Sequence, residues 1–128
     1  MKNFGNTMKK KIDGKKLLNG YIKEMQTYYE DELEKQQLFL NDKLNDEYYD
    51  YKKSVKFTRT WEILMNMKNL AARNLILLFN ACGDKYKETI EALCGIGVFY
   101  KNEATLRVMI TNTRKKIKEI YNKKYGTN

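Results

Sequence analysis

The sequence predicts an all-α protein, and three observations carry that expectation. Proline is absent from all 128 residues. Glycine occurs at 5, 14, 20, 83, 95, 97 and 126, so the interval from Tyr21 to Cys82 contains neither strong helix breaker. Apolar side chains recur at steps of three and four, the period at which a helix returns to the same face.

Each element follows from this pattern. Leu18, Ile22, Met25, Tyr29, Leu33, Leu40, Leu44 and Tyr48 form one stripe that skips only the Gln36 slot. They predict a long amphipathic helix over roughly 17–50, with Asn41 as the place where a break would fall. Tyr51 to Arg59 (YKKSVKFTR) is basic without an apolar stripe and reads as a connector. Thr60 is a candidate cap for the next helical segment, which runs through Trp61, Ile63, Leu64, Met65 and Met67 to the apolar run ending at Phe79. Polar gaps at Lys68-Asn69 and Arg73-Asn74 are points at which this segment could divide. Trp61 reads as a core anchor, with an exposed stacking role as the alternative. Gly83 stops the segment, Asp84 is the candidate N-cap of a short helix bearing Ile90 and Leu93, and Gly95 with Gly97 ends it. Asn102 then caps a final helix. Glu103 in its first turn and Lys115, Lys116 and Lys118 late in it complement the helix dipole. Its inward stripe is Leu106, Ile110, Thr113, Ile117 and Ile120, with Tyr121.

Composition bounds the function. The chain is 42% hydrophobic and 32% charged, with a mean hydropathy of -0.73, too apolar for outright disorder and too polar for a membrane span. The lysine-rich start, Met1 to Lys16, lacks the apolar run of a secretory signal, so a cytoplasmic protein with no membrane partner is expected. There is no histidine, and the two cysteines, Cys82 and Cys94, lack metal-ligand spacing. They read as small apolar core residues, and neither a metal nor a disulfide is expected. The same lack of histidine removes the commonest general base, so no catalytic residues and no cofactor are assigned.

Net charge is +9, but 21 of the 25 bases are lysine and 13 residues are asparagine, a usage that AT-rich coding alone could produce. Distribution is more informative than the total. Residues 24–50 hold nine acids and two lysines, whereas 51–128 hold sixteen bases and six acids. A basic C-terminal half is the footprint of a surface that neutralises phosphates, and an acidic segment is repelled by such a polyanion. The Tyr28-Tyr29 and Tyr48-Tyr49-Tyr51 clusters, set among acids, therefore suit packing or a partner interface better than base stacking.

The C-terminal half runs helix, glycine turn, short helix, glycine-containing turn and basic helix, the layout of a helix-turn-helix unit with a supporting helix before it. RNLILLFNACG (Arg73 to Gly83) resembles the first helix of region 4 in sigma-70-type transcription factors, with an arginine before an aliphatic run and a glycine ten residues on. Tyr86-Lys87-Glu88, Ile90, Leu93 and Gly95-Ile96 are similar to that region's supporting helix and turn. EATLRVMITNTRKKI (Glu103 to Ile117) resembles its recognition helix. About 45 residues are covered, and nothing upstream resembles the other regions of a sigma factor. LLNGY (Leu17 to Tyr21) is similar to the starts of small phage late-operon regulators. The resemblance implies a small regulator that binds double-stranded DNA and possible contact with RNA polymerase.

The candidate DNA-binding residues are Lys101, Asn102, Thr105, Arg107, Val108, Thr111, Asn112, Arg114, Lys115 and Lys118. Asn102, Thr105, Arg107 and Val108 lie near the helix start and would reach base edges, while Thr111, Arg114, Lys115 and Lys118 would meet phosphates. The chain divides into a flexible basic tail (1–16), a long helix and connector for dimerisation or partner contact (17–59) and a helix-turn-helix domain (60–128). A homodimer or higher oligomer through the N-terminal helix suits a reader of paired half-sites. Two other readings stand beside a transcriptional regulator: a DNA-recognition protein like a phage small terminase, and a non-enzymatic helical interaction or structural protein.

Overall fold

The computed structural model describes residues 12–126, which form five helices and no strand: α1 (Gly14–Leu40), α2 (Tyr51–Met65), α3 (Leu70–Ala81), α4 (Tyr86–Cys94) and α5 (Glu103–Tyr125). The fold is all-α. Among these residues no helix is long and apolar enough to cross a membrane. Most of the expected basic tail lies outside the described residues; its last part does not. Asp13 accepts from the Lys16 N–H at 3.1 Å and caps α1, so the helix begins at Gly14 and Gly14 to Lys16 form its first turn.

The centre is α3. Leu75, Ile76, Leu77, Leu78 and Phe79 are all buried, five consecutive residues that turn through every side of the helix, and α1, α4 and α5 pack around it. Burying side chains such as Leu77 and Leu78 stabilises by about 1.5–3 kcal/mol each. α1 also packs on α2 and α4, α2 on α5, and α4 on α5. Trp61 is buried in α2 and its indole N–H donates to Gln26 Oε1 at 2.8 Å, which gives it the anchoring role.

Three helix ends share one device. A residue in the left-handed conformation, Asp42, Gly83 or Gly97, turns the chain so that the next N–H reaches back five residues. Lys43 N–H thus donates to Leu38 O at 2.8 Å, Asp84 to Phe79 O at 2.9 Å and Val98 to Leu93 O at 2.9 Å, satisfying carbonyls the helices leave open.

Several expectations are corrected. The long helix ends at Leu40, at the break expected near Asn41, and does not resume to 50; Asp42 beyond it adopts a positive φ of 54°. Tyr51 to Arg59 is not a connector but the first half of α2, capped by Asp50, whose carboxylate accepts from the Lys53 N–H at 3.0 Å. Thr60 caps nothing; it lies inside α2 and its hydroxyl donates to Lys56 O at 2.8 Å. Asp84 is not the N-cap of α4, since its φ of 62° places it in the turn; that position belongs to Lys85, which makes no side-chain cap bond. Cys94 is exposed and Cys82 half-buried, so neither is a full core residue; burial pushes the Cys82 thiol above its ordinary value. Ile120 is 42% exposed and drops out of the α5 stripe, while Leu106, Ile110, Thr113 and Ile117 are buried and Tyr121 half-buried. The expected segment from Trp61 to Phe79 divides at the first of its two polar gaps, between α2 and α3, where Asn69 caps α3 by accepting from the Ala72 N–H at 3.1 Å.

Close backbone contact fixes the start of α1 against the end of α4. A Cβ at Gly14 would collide with the Ala92 carbonyl oxygen, and one at Gly95 would lie 2.9 Å from Gly14 N. Only a residue without a side chain permits this approach.

Candidate nucleic-acid interface

Asn102 starts α5 by accepting from the Thr105 N–H at 2.9 Å and from its hydroxyl at 3.1 Å. The cap leaves the Asn102 amide NH₂ group as what that side chain can still donate. From this start Leu106, Ile110, Thr113 and Ile117 face the core at steps of four, three and four, which turns the rest of the helix outward.

All ten candidate residues are exposed. They do not form one homogeneous face. Val108, Thr111, Asn112, Lys115 and Lys118 lie on the side of α5 away from the core stripe. Arg107 and Arg114, seven residues and nearly two turns apart, share one flank. The Arg107 guanidinium lies 4.7 Å from the centroid of Tyr86, and that of Arg114 lies 5.2 Å from the centroid of Phe79. The two rings pack together at 4.9 Å with a tilt of 42°. Arg107, Tyr86, Phe79 and Arg114 therefore make one continuous run in which two rings from α3 and α4 carry two cations of α5. Each such contact is worth about 0.5–1 kcal/mol at an exposed site and narrows the rotamers of a long side chain. Lys101 lies in the connection ahead of the cap.

The electrostatics favour an anionic partner. α5 carries seven bases, Arg107, Arg114, Lys115, Lys116, Lys118, Lys123 and Lys124, against Glu103 and Glu119. Among the described residues the ion pairs are Lys35 with Glu32 at 3.7 Å and Lys85 with Glu88 at 4.0 Å, and neither involves α5. Arg59 of α2 lies 4.4 Å over the Tyr125 ring, which extends the cationic surface across the end of α5.

Sequence reasoning missed Tyr86 and Phe79 as supports for the arginines, and Arg59 as a neighbour of the same surface. An aromatic residue opening the short helix was the available signal for Tyr86. Nothing in the chain order points to Arg59, because its position depends on α2 crossing α5. No three His, Cys, Asp or Glu side chains among the described residues come together as a metal site. Comparison with protein-family models, with curated proteins and with solved structures finds no match.

Proposed function

We propose that the protein is a sequence-specific regulator of transcription that binds double-stranded DNA with α5 as its reading helix and α4 as the supporting helix of a sigma-region-4-like helix-turn-helix. One observation carries the reading: seven cations on one helix, without carboxylate partners among the described residues, on an element whose outer face is exposed. A major groove admits one helix, and such a face offers it hydrogen-bond donors, a methyl-bearing Val108 edge and phosphate ligands together. Arg107 and Arg114, held by their rings, reach the duplex with less side-chain freedom left to lose.

In this reading Arg107, near the start of the helix, contacts a base edge, while Arg114, Lys115 and Lys118 bind phosphates. Binding is the whole activity; no catalytic step is involved. Two copies pair through the far part of α1, where Leu33 and Leu40 stay exposed beyond the region that packs on α3 and α4.

The test is selection from a randomised duplex pool at physiological salt, with sequencing of the retained DNA. An enriched motif supports sequence reading. Retention without enrichment reduces the reading to phosphate binding, and no retention removes it.

A further inference from the structure

Beside the DNA-binding surface lies a cavity of about 580 Å³, between the first turns of α1 and α3 and the connection from α4 to α5. That size is ordinary for a small-molecule site. Its floor is apolar, made by Leu75, Leu93 and Val98 among others. Polar groups line it as well, Lys15, Asn19, Asn69, Arg73, Asn74 and Tyr100, and the charged ones are both cations. Asn69 Oδ1 already accepts from the Ala72 N–H at 3.1 Å. Asn74 Oδ1 already accepts from Arg73 Nε at 3.1 Å and from Nη2 at 3.0 Å. Both amides keep their NH₂ donors, Arg73 keeps further N–H groups, and Lys15 brings an ammonium. Neither Lys15 nor Arg73 has a carboxylate partner among the described residues.

We infer that this cavity binds a small amphipathic carboxylate, its anionic head between Lys15 and Arg73 and its apolar body on the floor. The two cations select the anion, and the apolar lining selects the body; a cation would meet two like charges, and a neutral alcohol would leave both unpaired. The site stands apart from DNA binding, so its test needs no nucleic acid.

The probe is decanoate below its micellar concentration, titrated calorimetrically into the full chain, with decanol and decyltrimethylammonium as neutral and cationic analogues. Saturable binding of decanoate alone, or far tighter than either analogue, is expected. Lys15→Gln, on an exposed turn, and Arg73→Gln should each weaken it about tenfold, the loss of a hydrogen bond to a charged group. Val98→Phe, which adds bulk at an uncharged lining position, should also weaken decanoate. The inference is overturned by no saturable decanoate binding, by equal binding of the ammonium analogue, or by decanoate affinity unchanged in both the Lys15 and Arg73 variants.

Discussion

The guanidinium of Arg114 lies 5.2 Å from the centre of the Phe79 ring, so a cation on the surface of α5 rests on a side chain that is only 2% exposed. The core helix thereby sets the direction of a charge on the surface of α5. Its counterpart is Arg107 on Tyr86. In the proposed reading the two arginines take different roles by position along α5, and their variants should then divide in effect.

Arg107→Ala is expected to relax preference among duplexes while keeping most affinity for unrelated DNA, since a base contact is worth about 1–3 kcal/mol of discrimination. Reversing Arg114 and Lys115 together should instead lower affinity for every duplex. Gel-shift titrations at fixed salt against a selected and a scrambled site separate the two outcomes. Parent-like binding by both variants would remove α5 as the reader.

Gly14→Ala should destabilise the fold by about 1–3 kcal/mol, the usual cost of forcing atoms into a filled site. The sign is diagnostic, because alanine improves most helix positions and Gly20, with open space where a Cβ would stand, should accept it without loss. Thermal unfolding of Gly14→Ala beside Gly20→Ala reads the contrast.

Gln36 donates to Ser54 Oγ at 3.0 Å and to Thr58 Oγ1 at 3.1 Å, joining α1 to α2. Gln36→Leu should cost about 1–3 kcal/mol, because it strands the buried Ser54 hydroxyl. Adding Ser54→Ala and Thr58→Val should recover most of that loss in a denaturant titration.

This bridge also explains which part of the fold was legible in the sequence. α3, the end of α4 and the Asn102 cap were readable because apolar runs, glycines and a capping side chain mark them locally. The first half of α2 was not. Its inward side is Ser54 and Thr58, which lead at helical steps into Trp61 but carry hydroxyls where a sequence pattern looks for apolar groups. Those hydroxyls face the Gln36 slot where the α1 stripe is interrupted, so two apparent gaps in hydrophobic pattern are partners of one another. At the candidate interface the exposed residues of α5 followed from its core stripe, whereas the rings beneath the arginines depend on how three helices cross.

Alkaline pH offers a separate test of the α1–α2 contact. The Tyr29 hydroxyl donates to Glu62 at 2.6 Å, and that hydrogen bond, helped by burial and the carboxylate charge, pushes the phenol from its ordinary 10.0 up to about 12. The folded state holds this proton more tightly than the unfolded chain does. Its stabilisation is therefore fully present below pH 10 and is lost as pH rises from 10 to about 12. Tyr29→Phe should lower stability below pH 10 and flatten the decline within that window, read as unfolding midpoint against pH.

Leu33 is 40% and Leu40 59% exposed on the far part of α1. If two copies meet there, Leu33→Glu with Leu40→Glu should convert a dimer to a monomer by light scattering at micromolar concentration, with the helical content unchanged. A parent that is monomeric with and without DNA would contradict pairing through this helix.

The most direct test of the central claim is the salt dependence of duplex binding. The parent should show log affinity falling linearly with log salt, and Lys115→Gln and Lys118→Gln should each reduce the slope by about 0.9, the value for one phosphate contact on duplex DNA. A parent slope near zero, or slopes identical in parent and variants, would contradict the account.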